Sequence, residues 1–137
     1  MTSLLSAFDP LTVAPDALKA RALHSALWLA HNFLDESHVV SQELHTPTGS
    51  LLHAVMHRRE PDAWNSKYWW KRVGSHPIFP KLAERAAKLG YVQRGLSWDP
   101  MQFVDDVEAA RGKNNDRERL LEAVQQEELL LVVQASF

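Results

Sequence analysis

Apolar residues in this chain recur at helical spacing, and nowhere do they alternate as a half-buried strand requires. Leu23, Leu27, Ala30 and Leu34 follow one helical face, and Leu51, Leu52, Val55 and Met56 another. Proline and glycine fall between these runs and predict where each helix begins and ends. After an irregular lead-in over residues 1–14, Pro15 opens a helix over residues 15–34, since a proline in the first turn forfeits no hydrogen bond. If that helix runs on to about Leu44, His24, Trp28, His31, Asp35 and His38 share one ridge. Asp35, Glu36 and Ser37 compete with the helical backbone and argue for a break there.

Thr48 or Ser50 is expected to cap a second helix, and Pro61 stops it or begins the next, a third over residues 62–73 with Asp62 in its first turn. Gly74 closes that run, and Pro77 and Pro80 frame a corner. Lys81 to Leu89 forms a fourth helix ended by Gly90, and Asp99-Pro100 opens a fifth to about Ala110. Asn115 with Glu118 resembles a capping box for the last helix, whose tail from Leu129 ends either helical or extended. About six helices in one all-α, single-domain bundle is the expected architecture.

At 137 residues the chain is long enough to bury a sizeable core. It has no cysteine, which excludes disulfides and thiolate metal sites and suits a cytoplasmic setting. The longest apolar run, Leu129 to Val133, falls far short of the roughly 20 residues a membrane span needs. No signal peptide is expected, because no basic start precedes an apolar block. With only five glycines, the chain shows no phosphate-loop spacing.

The net charge of −2 hides a basic middle: residues 57–98 carry nine cations against three anions, between ends of −3 and −5. Such a centre can attract an anionic ligand, or it can be neutralised by the acidic helices, which is the commoner arrangement in small helical domains. Duplex nucleic acid is disfavoured, since it asks for a larger positive face.

Seven histidines are many for this length, and His24, His31, His38 and His45 recur every seven residues. His53, His57 and Glu60 follow at i, i+4 and i+7, one face of one helix. That face can supply acid–base chemistry, with His57 as the catalytic imidazole and Glu60 orienting it. It can equally offer ligands to a divalent metal cofactor, completed by His31 or His38 with Asp35 from the first helix. The zinc-protease spacing fails, however, because Ala54 stands where a glutamate is needed. Satisfied structural histidines remain the bland alternative. Of Arg58 and Arg59, which face different ways, one is expected to grip an anionic group and the other to pair with Asp62 or Glu60; structural ion pairing of both is the competing reading.

Trp64, Trp69 and Trp70 are three of the chain's five tryptophans. The spacing of Trp64, Tyr68 and Trp70 reads as core, yet the interleaved Lys67, Lys71 and Arg72 also suit stacking on a sugar, a base or another flat ligand. Ser41 and Ser66 lack the nucleophile elbow. Glu60 and Asp62 are set aside as a glycosidase pair, because helix positions two apart diverge.

Ser37-His38 with Ser41-Gln42, then His53 with His57-Arg58-Arg59-Glu60 and Asp62, then Asn65 and Lys67-Tyr68-Trp69, then Arg72-Val73-Gly74 and His76-Pro77, form a combined pattern. It resembles a family of small bacterial and fungal helical proteins of unassigned function. The resemblance covers about residues 37–79, implies that His38 works alongside His53 and His57, and brings no activity with it. The leading expectation is a small-molecule site, for an anionic or sugar-like ligand. His38, His53, His57 and Glu60 form its floor, Arg58 or Arg59 its anion contact, and Asn65, Tyr68 and Trp69 its remaining contacts. A protein-interaction or homo-oligomeric module using the aromatics is the rival.

Overall fold

The computed structural model describes residues 46–135, so the lead-in, the helix over 15–34 and the stripe from His24 to His38 lie outside the described residues. Within them are five helices and no strand: α1 (Pro47–Arg59), α2 (Ala63–Val73), α3 (Phe79–Leu89), α4 (Pro100–Ala110) and α5 (Asp116–Ala135). The all-α expectation holds for this part, and the five helices expected after residue 46 are the five found.

Local chemistry sets the ends. α1 starts earlier than expected, because Pro47 occupies its first position and Thr46 is the cap, Oγ1 accepting from the Gly49 amide at 3.0 Å. α2 is capped by Asp62, which therefore precedes the helix and does not sit in its first turn. Asp99 Oδ1 caps α4 by accepting from Met101 and Gln102 amides at 2.9 and 3.2 Å. Half of the expected capping box forms on α5: Asn115 Oδ1 accepts from the Glu118 amide at 3.0 Å, while the Glu118 carboxylate accepts instead from the Gly112 and Asn114 amides. α3 ends on Gly90 at φ 111°, a conformation that strains any side chain. The extended alternative for the tail is excluded as far as Ala135.

α1 packs on α2, α2 on α4, α4 on α5, and α5 on α3. Every residue of α1 from Gly49 to Arg58 is buried, so this helix is apolar-faced on no single side and runs through the interior. Leu51, Leu52, Val55 and Met56 join Trp70, Leu82, Phe103 and Val132 in the core. His53, His57 and Arg58 are buried with them.

Among the described residues Arg58 and Glu128 are the deepest charges, 1% and 0% exposed. The guanidinium grips the carboxylate with both Nη atoms, Nη1 to Oε2 at 3.2 Å and Nη2 to Oε1, and its Nε donates to Gln125 Oε1 at 3.3 Å. Its cationic face lies 4.8 Å from the Phe103 ring centre. Arg111 closes the knot by donating to the Arg58 carbonyl at 2.7 Å. Lys67–Asp105 at 2.6 Å and Arg85–Glu127 at 3.1 Å add two more links between the basic middle and the acidic C-terminal segment. Internal neutralisation is therefore present among the described residues.

His76 is buried, its Nδ1 accepting from the Ile78 amide at 3.3 Å, which leaves Nε2–H to donate to Thr48 Oγ1 at 3.0 Å. Burial holds this ring's pKa below its ordinary 6.5.

Two outcomes follow. Replacing one member of the buried pair, in Glu128→Leu or Arg58→Met, should cost about 3–5 kcal/mol by urea denaturation, and the double replacement clearly less than the sum. For His76, the unfolded chain takes up a proton near pH 6.5 and the folded chain only at lower pH. Its contribution to stability is thus full above that value and declines as pH falls below it. His76→Gln should flatten the loss of stability measured between neutral and mildly acidic pH; an unchanged slope would remove His76 as a cause.

Candidate functional site

The end of α1 and the start of α2 meet in a three-residue turn, and the chemistry gathers there. α1 ends at Arg59 because Pro61 cannot continue it, and Glu60 is its C-cap. The Glu60–Pro61 peptide is cis. The Asp62 amide then donates back to the His57 carbonyl at 2.6 Å, which folds the turn against the last turn of α1.

His57 Nδ1 and Glu60 Oε1 lie 2.8 Å apart, the imidazole–carboxylate contact expected from the spacing. The histidine side chain is 11% exposed and the glutamate 40%, so the pair links the interior to the surface. Asp62 approaches from the far side of the turn, and one donor atom from each of His57, Glu60 and Asp62 lies within 4.8 Å of the others. Asn65 fixes Asp62, its amide donating to Oδ1 at 3.2 Å and its Nδ2 to Oδ2 at 2.6 Å. These two bonds, side chain first, hold the Asp62 carboxyl below the usual range, slight burial opposing them and nearby His57 acting with them.

The grounds for setting Glu60 and Asp62 aside as a pair do not hold. They are not on a helix: the turn points both carboxylates at one place. Pro61 between them was the signal, because a proline there removes the helical phase on which divergence depends.

Aromatic rings extend the cluster. His53 stacks on Trp69 with centroids 4.0 Å apart and planes within 10°, and on His57 at 5.3 Å. Tyr68 meets Trp69 edge-on at 5.4 Å, and Trp64 stacks on Tyr68 at 6.4 Å. Arg72 lies over Trp69 and Tyr68, 5.2 and 5.9 Å from their centres.

The core expectation for α2 fails for two rings and holds for one. Trp64 is 76% exposed and Tyr68 45%, whereas Trp70 is buried. Trp70 is about 200° around the helix from Tyr68, so the two cannot share a face. Ser66, on the inner side, donates its hydroxyl to the Ala54 carbonyl at 2.7 Å, a packing contact with no nucleophilic arrangement.

The arginines take different places. The anion that Arg58 meets is Glu128, inside the bundle, and not Asp62 or Glu60. Arg59 is half-buried, its pKa lowered first by burial and then by the like charge of Arg58, with Glu128 opposing. His38 and Ser41 lie outside the described residues. A separate groove of about 640 Å³, lined by Phe79, Pro80, Ala83, Leu96, Trp98 and Pro100 among others, contains none of the residues selected from the sequence.

No family model matches the sequence, and neither a curated protein nor a solved structure is similar to it.

Glu60→Gln should move the His57 ring ¹⁵N resonances, because a neutral amide oxygen replaces the carboxylate at Nδ1, while those of His76 stay in place. Unmoved His57 signals would show that the contact does not form in solution.

Proposed function

We propose that the α1–α2 turn and the adjoining face of α2 bind a small, neutral, polyhydroxylated ligand, with His57 as the proton donor or acceptor and Glu60 as its orienting partner. The 2.8 Å contact between His57 Nδ1 and Glu60 Oε1 carries this reading, since it fixes the ring's orientation. Asp62 and Glu60 place two carboxylates beside His57, which disfavours an anion there and favours hydroxyl groups as donors to them. The Trp69 ring stacked on His53, with Tyr68 and Trp64 more exposed beside it, offers flat faces of the kind that pack against sugar rings. Arg58, committed to Glu128, drops out as a ligand contact.

Titration of ¹⁵N-labelled protein with glucose, N-acetylglucosamine, citrate and phosphate tests this. A neutral sugar should perturb the Trp69 indole and His57 ring signals, and His57→Ala should abolish the effect while keeping a folded spectrum. Absence of any sugar response overturns the proposal. Response to citrate or phosphate alone overturns its charge argument. A Trp64→Ala variant that dissociates an oligomer, with no sugar response in the parent, would favour the interaction reading.

A further inference from the structure

The geometry points to a divalent-cation site formed by His57, Glu60 and Asp62 at the α1–α2 turn. It shares its location with the proposed ligand site and rests on that reading only for the role of the ion, which would polarise a ligand oxygen in place of the imidazole.

Three observations support it. First, the donor set is one imidazole nitrogen and two carboxylates from separate residues, each contributing an atom within 4.8 Å of the other two. Donors held about 2.0–2.2 Å from a first-row ion sit closer together than that, so the cluster must contract slightly. Glu60 is the exposed, flexible member and can move, while His57 is seated in the core. Secondly, the rigid members are already aimed. Asn65 holds Asp62 through one bond to each carboxylate oxygen, and each oxygen keeps a second lone pair for a metal. Such support of a ligand by outer hydrogen bonds is what metal sites require. Thirdly, the charge balances: a doubly positive ion offsets two carboxylates packed against a buried ring.

The mixed nitrogen–oxygen set selects the class of ion. Imidazole with carboxylates suits Zn²⁺ or Mn²⁺, whereas Mg²⁺ and Ca²⁺ prefer oxygen throughout. Three protein donors leave coordination positions for water or a ligand oxygen, the arrangement of a working site rather than a structural one. Neither His53, engaged with Trp69, nor any histidine before residue 46 is required.

The test is calorimetric titration of the full chain with Zn²⁺, comparing wild type with a Glu60→Gln, Asp62→Asn double variant. Gln still accepts a hydrogen bond from His57, and Asn caps a helix as well as Asp, so the variant should fold. It also keeps every histidine, so incidental binding elsewhere is the same in both proteins. Losing outer partners alone weakens metal sites about 10–100-fold, so losing two direct donors should weaken this one at least about tenfold and remove one site per chain. Mn²⁺ should broaden amide signals of residues 57–62 in wild type and leave them sharp in the variant. No Zn²⁺ binding by wild type, or equal stoichiometry and affinity in both proteins, overturns the inference. The ligand reading fails separately: a sugar response that persists after EDTA treatment sustains it without the metal, and Zn²⁺ binding with no sugar response sustains the metal without it.

Discussion

The ion pair of Arg58 with Glu128 is the contact on which the arrangement at the α1–α2 turn depends. Both groups are fully removed from water, so the penalty of stripping two charges is offset only by two-pronged geometry and by further contacts around the pair. Gln125 accepts from Nε, Phe103 presents its ring face to the guanidinium, and Arg111 donates to the Arg58 carbonyl. The result ties the last turn of α1 to α4 and α5 at once. His57 is the preceding residue and Glu60 lies two residues beyond, so both are delivered from a helix end that cannot swing. A site on a helix terminus is ordinarily prone to fraying; this one is anchored from within.

That anchoring resolves the charge layout. The basic middle of the chain faces the acidic C-terminal segment through Arg58–Glu128, Lys67–Asp105 and Arg85–Glu127. Only the first is buried, and the exposed pairs add little individually. What the pairing changes is the field: Arg58, Lys67 and Arg85 are matched by carboxylates of the fold, while Glu60 and Asp62 make the turn itself locally acidic. The proposed neutral ligand and divalent cation suit such a place.

Much of the helical order was legible in the sequence, because proline, glycine and capping residues act locally. Asp99-Pro100, Gly74 and Gly90 end or begin elements where their chemistry says they must. Cap choices one turn apart were less legible: Thr46 wins over Thr48 because Pro47 takes the first helical position, a competition that spacing alone does not rank. At the site, the His57–Glu60 contact could be read from its i, i+3 spacing. Asp62 could not, since its convergence arises from the path of the Pro61 turn. The partner of Arg58 is 70 residues away in sequence, and no local pattern identifies it. The core alternative for Trp64 and Tyr68 fails because helical spacing says which residues share a face and not which face is inside.

Hydrogen exchange in Glu128→Gln shows whether the buried pair holds the α1–α2 turn. The amides of Glu60, bonded to the Met56 carbonyl, and Asp62, bonded to the His57 carbonyl, report the turn. The Gly74 amide, bonded to the Trp70 carbonyl, reports the far end of α2. Glu60 and Asp62 should lose more protection than Gly74, as local opening of the turn outpaces global unfolding. Equal loss at all three, or no loss at the turn, would contradict it.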